Sequence, residues 1–575
     1  MAPLLVFSNA LAALALALGC GAPPRQPNVL VITVDTLRAD RIGAYGYASA
    51  HTPSMDRLAA DGVRCADAIA AAPITMPSHS TIFTGLYPPA HGVRDNGCYA
   101  LGDDALTLAE RLQAAGYRTH AAVSALVLNR RYNLAQGFDE YDDDLWAEDA
   151  PKLFMIRDRP AAKTADRVVK WLQGWRANSA QQPFFAWVHF FDPHQPYDSA
   201  TAWERARAAT PYDAEVSSAD KGIGLVLAEL ESQDILDETL VVLTADHGES
   251  LGEHGEKTHA VFIYDATVRV PLVWRLPRRL PRGKVYEGPV RGVDIVPTVL
   301  ALLGLPGGDE TQGTSLLPAF RGLVDPPDLP QYSESILSEV GFGMAPLYGV
   351  RHLGHKWIRA PKPEVYDLGR DPHELVNLYP AEARLGARLD RTLAEILADS
   401  RRRGLAPQKS PLDRETEETL RALGYLAPIG ERAAMGGMDP KDGIVLYNKL
   451  EQARHLAQGE HWLEAEAVLR EILAVTPANL TARNILALTL LKQEKLEATR
   501  EEYLRSLAQD PKQFRVHGML GSLAFASGDL ETAERFFRQG IEISPGFVEA
   551  LSSLGMIQML RGDKAGAEER YRQAI

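Results

Sequence analysis

The stretch "NVLVITVD", Asn28 to Asp35, decides the fold class. Its side chains are apolar on both parities, whereas a strand with one wet face alternates apolar with polar. A run of this kind is buried on both sides, as in a parallel sheet covered by helices. It stops at the carboxylate of Asp35. The same design returns in "LVVLTADHG", Leu240 to Gly248, which stops at Asp246 and His247, and in "FFAWVHFF", Phe184 to Phe191. Helical stretches such as "DALTLAERLQAAG" (104–116) and "DKGIGLVLAELES" (220–232) separate these runs. The alternation predicts a largely parallel α/β sheet from Asn28 to about Pro318. In such sheets ligands bind at the carboxyl ends of the strands. One Asp there would read as a cap or a surface residue. Two acidic residues plus an adjacent imidazole, each at a strand end, would make a compact divalent-metal site.

Farther along, between about Arg321 and Tyr379, runs shorten and turn residues multiply, as in "RHLGHKWIRAPKPEVYDLGRDP" (351–372), which predicts a small antiparallel subdomain. A helix-rich connector with "DRETEETLRALGYL" (413–426) leads into the Gly- and Met-containing "ERAAMGGMDPKDG" (431–443), a flexible boundary. Beyond it the chain repeats. Pro477, Pro511 and Pro545 are spaced by 34 residues, as are Ala453, Ala487, Gly521 and Gly555, and again Ala465, Thr499, Ala533 and Ala567. Small residues there let two helices approach closely, and each proline follows a helix end. A 34-residue helix–turn–helix period resembles the tetratricopeptide repeat. Ile575 falls inside the second helix of a fourth repeat with no polar cap after it, so the sequence reads as truncated.

At 575 residues the chain calls for two or three domains. A formal charge of -14 excludes broad phosphate-backbone binding, so no nucleic-acid partner is expected. The first residues, "MAPLLVFSNALAALALALGC", are apolar and uncharged and are followed by the loop-like "GAPPRQP". They predict export and resemble a bacterial lipoprotein signal, in which Cys20 would carry the lipid. Periplasmic or lipid-anchored location follows, with the membrane touched only through that anchor. No later apolar run is long enough to span a bilayer. Cys65 and Cys98 either pair or remain two buried thiols; spacing does not choose between them.

The motifs "NVLVITVDTLRADRIGAYG", "TPSMDRLAADGV", "PITMPSHSTIFTGLYPPAHGV", "TLVVLTADHGESLGEHGE" and "YDATVRVPLVW" occur in the order seen in the sulfatase-like branch of the alkaline phosphatase superfamily, and "VYDLGRDPHELVNL" resembles its C-terminal signature. The resemblance covers roughly Asn28 to Leu378. It implies an alkaline-phosphatase-like α/β core with a small antiparallel C-terminal subdomain, here followed by an all-α tetratricopeptide solenoid. The expected divisions are a leader at 1–20, a catalytic domain at 27–320, its subdomain at 321–400, a connector at 401–440 and repeats at 441–575.

By that match Asp35, Thr75, Asp246 and His247 are metal ligands and Thr75 is the nucleophile. The family pattern is Cys or Ser, any residue, Pro, any residue, Arg; aligned on Pro77 it places Thr75 first and His79 last. Thr75 cannot become formylglycine, and the arginine is absent. Ser78 and Ser80 are read as helix-start and packing residues. A threonine hydroxyl needs activation, which metal coordination would supply. Pro77 suits a first helical turn, whose exposed N–H groups would receive the anion's oxygens. Threonine cannot release sulfate by eliminating to an aldehyde, and threonine nucleophiles occur in the superfamily's phosphodiesterases and phospho-group transferases. The Gly-Lys-Trp-His motif that usually follows "AGY" in sulfatases is missing from "AGYRTHAAVSALVL" (115–128).

The expectation is therefore a metal-dependent hydrolase of an anionic ester, phosphate or phosphonate ahead of sulfate. The alternatives are a sulfuric ester hydrolase, a phospho-headgroup transferase of the cell envelope, and an inactive scaffold acting through its repeats. His194, Lys257 and His259 match segments that supply anion-binding or proton-transfer groups. His189 and Asp192 read as strand-end residues. One cation is favoured over two, since a second site from Asp192, His194 and His259 would have one residue instead of three between its first two ligands. The nitrogen content of the set, and Thr36 where calcium-dependent sulfatases carry a second aspartate, favour zinc or manganese over calcium. The partners expected are a small, glycan-linked or lipid-linked anionic ester and, through the repeats, a protein.

Overall fold

The computed structural model describes residues 26–97, 99–145, 159–195, 197–198, 200–342, 344–405, 408–409 and 437–574. The leader at 1–20, Cys98, most of the 401–440 connector and Ile575 lie outside the described residues.

In chain order the strands begin with β1 (Asn28–Val34), β2 (Val63–Ile69), β3 (Tyr99–Ala100), β4 (Arg118–Ala122), β5 (Glu140–Asp142), β6 (Phe184–Phe190) and β7 (Thr239–Ala245). They continue with β8 (Arg269–Arg275), β9 (Lys284–Arg291), β10 (Gln331–Ser335), β11 (Leu347–His352), β12 (His355–Arg359), β13 (Glu364–Asp367) and β14 (Gln408–Lys409). The main sheet has the order β5-β4-β6-β1-β7-β8-β2-β9. β8 runs antiparallel to β7 and β2, and the other pairings are parallel. Every residue of β1, β6 and β7 is buried, as their unalternating apolar sequences predict.

Two groups of helices cover the sheet. α1 (Pro53–Ala60) packs on one later helix and α2 (Thr75–Thr84) on three others; α3 (Leu108–Ala114) follows with a complete capping box at Thr107 and Glu110. α4 (Ala161–Ser179) lies against α5 (Pro211–Ser232), which also meets α1, whereas α6 (Ile295–Leu303) and α3 each pack on α2. α2 is buried at every residue and ends at Gly85, whose φ of 71° is the left-handed cap that glycine adopts without strain. A Cβ there would meet Thr311 at 2.8 Å.

The antiparallel subdomain is the sheet β10-β11-β12-β13. α7 (Ala383–Arg403) lays Leu389, Leu393 and Leu397, one turn apart, against Trp357 and Val365 of that sheet. The last part is all-helical. α8 (Pro440–Gln458), α9 (Trp462–Val475), α10 (Leu480–Lys492) and α11 (Leu496–Gln509) form two antiparallel pairs. α12 (Phe514–Ala526), α13 (Leu530–Ile543), α14 (Val548–Leu560) and α15 (Lys564–Ala574) form two more. The small residues of the repeat sit at the crossings: Ala453, Ala465, Ala533 and Ala567 are wholly buried, and a Cβ on Gly521 would meet the Phe537 ring at 2.7 Å. Among the described residues no helix is long and apolar enough to cross a membrane.

Candidate active site

β1 lies between β6 and β7 in register, so Val34 stands opposite both Phe190 and Ala245. The next residue on each side, Asp35 and Asp246, therefore emerges at the same level of the sheet. Asp35 N–H donates to Phe190 O at 2.9 Å, carrying the ladder one step beyond the strand. Thr36 then takes a left-handed φ of 53°. Tyr212 Oη fixes this turn, donating to Thr36 O at 2.7 Å and accepting from Arg38 N–H at 3.0 Å.

Asp246 Oδ1 accepts the N–H of His247 at 2.8 Å and that of Thr36 at 3.3 Å, which turns Oδ2 toward Asp35. His247 Nδ1 donates to Gly248 O at 2.9 Å, so its lone pair is on Nε2. Nε2 lies 3.6 Å from Asp35 Oδ1 and 3.5 Å from Asp246 Oδ2. Both Asp35 oxygens, Asp246 Oδ2 and His247 Nε2 are buried without a hydrogen-bond partner, and one ligand atom from each residue falls within 4.8 Å of the others. Buried polar atoms are otherwise almost always satisfied. Four acceptors converging with no donor among them fit a divalent cation. Burial pushes the Asp35 and Asp246 carboxyls above their ordinary range. Burial alone would lower His247, but the carboxylates of Asp246 and Asp35 outweigh it and its pKa is raised.

Thr75 is the first residue of α2. Ser78 Oγ donates to Asp246 O, which pins this helix start to the end of β7. His79 Nδ1 donates to Thr75 O at 2.8 Å and stands 3.6 Å from Asp246 Oδ2, so Thr75 O is no more than 6.4 Å from that carboxylate, the two distances laid end to end. His79 Nε2 accepts from Thr33 Oγ1 at 3.0 Å, and Thr33 Oγ1 accepts from the Trp187 indole at 2.9 Å. Burial takes the His79 pKa down to about 3. The residue in the family's arginine position is thus a neutral, wholly buried tether of the Thr75 backbone.

One expectation needs correction. The helix start does not present a set of free N–H groups: Asn96 Oδ1 takes the Met76 N–H at 2.8 Å, Pro77 has none, and Ser78 N–H bonds Ile74 O. Thr75 N–H is the first-turn donor left without a partner among the described residues. Ser80 is a packing residue as expected, its hydroxyl turned back onto Met76 O.

The histidines form a cluster. The His259 ring lies tilted 4.6 Å from that of His247 and edge-on 5.0 Å from that of His194, measured between ring centroids. His194 lies on Phe191, its Nδ1 donating to Gln195 O at 2.7 Å, and burial lowers its pKa to about 4. His259 Nδ1 and Glu249 Oε1 are hydrogen-bonded at 2.9 Å, and Tyr197 Oη donates to Glu249 Oε2 at 3.2 Å. Burial raises Glu249 to about 8 and depresses His259. Lys257, two residues before His259, is exposed and bonds no described residue.

Sequence reasoning missed two of these groups. His189, read as a strand-end residue, is buried with Nε2 3.5 Å from Asp35 Oδ2; its signal was an imidazole inside an otherwise apolar central strand. Glu249 lay in plain view two residues after His247. Asp192 behaves as expected, its Oδ2 accepting the Ala161 N–H at 2.8 Å at the start of α4. Cys65 is a buried free thiol.

Comparison with known proteins agrees with this architecture. The family model described as sulfatase matches residues 27–305, that described as N-sulphoglucosamine sulphohydrolase, C-terminal, matches 252–402, and a tetratricopeptide repeat model matches 514–547. The chain is 27% identical to mouse (Mus musculus) steryl-sulfatase over 413 residues, 52% of this chain and 66% of that one. It is 25% identical to the ulvan-active sulfatase of Formosa agariphila, over 65% of this chain and 82% of that one. Among solved structures, Ps i-CgsB in complex with a neocarrahexaose matches with a TM-score of 0.57 at 20% identity, covering 69% of this chain and 97% of that one. The phosphonate monoester hydrolase of Agrobacterium radiobacter matches with a TM-score of 0.52 at 22% identity, covering 65% and 96%. The chain therefore carries a sulfatase domain, of a family within the alkaline phosphatase superfamily, with an N-sulphoglucosamine sulphohydrolase-type C-terminal part and a tetratricopeptide repeat near its C-terminal end.

Proposed function

We propose that this chain hydrolyses an anionic ester with Thr75 as nucleophile, phosphate or phosphonate in preference to sulfate. The observation that carries the reading is the convergence of unpartnered acceptors from Asp35, Asp246 and His247 beside the start of the helix that Thr75 opens. These three residues and the Thr75 hydroxyl would hold one divalent cation, zinc or manganese by the chemistry of the donor set. Such an ion supplies a lowered hydroxyl pKa at Thr75 and neutralises charge on the ester.

The chain's own residues do the rest. Thr75 Oγ1, its proton given up to solvent, forms the bond to phosphorus while the bond from phosphorus to the alcohol oxygen breaks. Glu249 engages His259 Nδ1, which leaves Nε2 as the nitrogen that delivers a proton to the departing oxygen. Lys257 is assigned to the ester's remaining oxygens, and so is His194, which must take up a proton on Nε2 beside the anion because its Nδ1–H is committed to Gln195 O. Water then attacks the phosphorus, His259 takes its proton, and Thr75 and phosphate are released. Threonine has no elimination route that would expel sulfate, and His79 offers no cation in place of the usual arginine.

Relatives named as sulfatases favour sulfuric ester hydrolysis as the second reading. Parallel assays with an aryl sulfate, a phosphate monoester and a phosphate diester separate the two, using wild-type, metal-stripped and Thr75→Ala protein. Fastest cleavage of sulfate refutes the preference, and full turnover by Thr75→Ala refutes the nucleophile. The catalytic unit is assigned to residues 27–400 and the protein-docking repeats to 441–575. Export, with Cys20 lipidated, belongs to the same reading on the strength of the apolar segment 1–20.

A further inference from the structure

The repeats do not hang from the catalytic unit as a separate body. Ile444, Tyr447 and Leu450 of α8 share one apolar core with Val261, Phe262, Ile263 and Tyr264, the segment that follows His259. Polar contacts reach farther back. Asn448 Nδ2 donates to Gly255 O at 2.5 Å. Tyr447 Oη lies 3.4 Å from His259 O and 3.5 Å from Thr258 Oγ1. Gly255 has a φ of 82°, and a Cβ built on it would touch Ile444 at 3.7 Å. At the start of the same helix Lys441 Nζ pairs with Glu364 at 2.7 Å, and Glu364 accepts the Tyr264 hydroxyl at 2.6 Å. The helix α8 thus packs on and bonds to the 255–264 segment that carries His259.

We propose that α8 completes the catalytic unit, with Tyr447 and Asn448 as positioning residues that hold the Gly255–His259 segment and thereby set the place of the His259 ring. The inference rests on the role assigned to His259 above. Tyr447 and Asn448 touch the backbone of the segment and act on the reaction through His259. A misplacement of about 1 Å at a proton-transfer group costs on the order of 100-fold in rate. A partner seated on the repeats that shifts α8 would act on turnover by this route.

The test uses the full chain with the ester it cleaves fastest. Tyr447→Ala and Asn448→Ala are each expected to lower kcat by about 10- to 100-fold with KM changed less than about threefold. Tyr447→Phe, which keeps the ring in the shared core, is expected to recover most of the loss. In a His259→Ala background the two alanine variants should have no further effect, and deuterium uptake at 255–262 should rise in both without it. Phe514→Ala, which opens a cavity in a separate cluster of the repeats, should leave kcat unchanged. The proposal is overturned if Tyr447→Ala slows the reaction equally with and without His259, or if exchange at 255–262 does not change. If His259→Ala leaves kcat intact, the assignment of His259 fails and this proposal with it. If His259→Ala is slow while Tyr447→Ala and Asn448→Ala are not, only the positioning role fails.

Discussion

Replacing Asp35 with Asn should have opposite effects on stability with and without metal. Asp35 and Asp246 are fully buried and present oxygens within 4.8 Å of each other. Two unit charges at that separation repel by about 3.5 kcal/mol at an effective dielectric of about 20. Burial adds to the penalty, as the raised pKa of each carboxyl records, and His247 offsets part of it. In stripped protein Asp35→Asn should therefore stabilise by about 2 kcal/mol. For a unit spanning residues 27–402, an unfolding entropy of about 2 cal/mol/K per residue turns that into a rise in Tm of roughly 2–3 °C. With zinc or manganese at 100 times the wild-type Kd, wild-type protein gains about 2.7 kcal/mol and the variant, one ligand short, gains far less. The ranking should invert. Calorimetry of both proteins, chelated and then metal-saturated, reads the effect directly. A variant that is less stable than wild type after chelation refutes the account of crowded carboxylates. An undiminished metal-induced shift in the variant refutes Asp35 as a ligand.

Thr75→Ser should retain turnover within about tenfold and Thr75→Ala should lose at least about 10³-fold, with a phosphorylated residue 75 trapped from wild type by acid quench and detected by mass spectrometry. His79→Ala removes the acceptor of the Thr33 hydroxyl proton and the side-chain donor to Thr75 O in a wholly buried site and should cost about 2–4 kcal/mol in a denaturant titration; a loss under about 0.5 kcal/mol refutes the tether. Asp220 accepts the Ser54 and Met55 N–H groups at the start of α1, yet desolvation raises its pKa from 3.8 to about 6. The folded chain therefore binds that proton more tightly than the unfolded chain. Stability from this group is full below pH 3.8 and is lost as pH rises through about 6, a change of about 3 kcal/mol. Stability of wild type relative to Asp220→Asn should fall across that window, and a flat difference refutes the assignment.

Apolar runs without alternation identified β1, β6 and β7, and the residues just after β1 and β7 identified Asp35, Asp246 and His247, because a carboxylate that ends a buried strand has few structural explanations. Nothing in one sequence states that Val34 faces Ala245. That register places the carboxylates side by side and belongs to the packed sheet. His189 was hidden because a polar residue within a hydrophobic strand is ordinarily a satisfied core group; its partner Asp35 is more than 150 residues away. Asn96 was equally opaque, since capping of α2 from a distant loop leaves no local signature. The 34-residue period revealed the repeats, but a pattern that reports only contacts between neighbouring helices could not show α8 against the 255–264 segment.

The hydrogen-bonded line from the Trp187 indole through Thr33 and His79 to the Thr75 carbonyl anchors position 75 in the middle of the sheet. The oxygen proposed to attack thereby inherits the stiffness of β1 and β6 and owes nothing to the outer turns around the site. Those turns are free to drift in length and sequence while the anion end keeps its geometry. On the proposed chemistry, a lineage built this way can change which alcohol it releases without relearning how to break the bond.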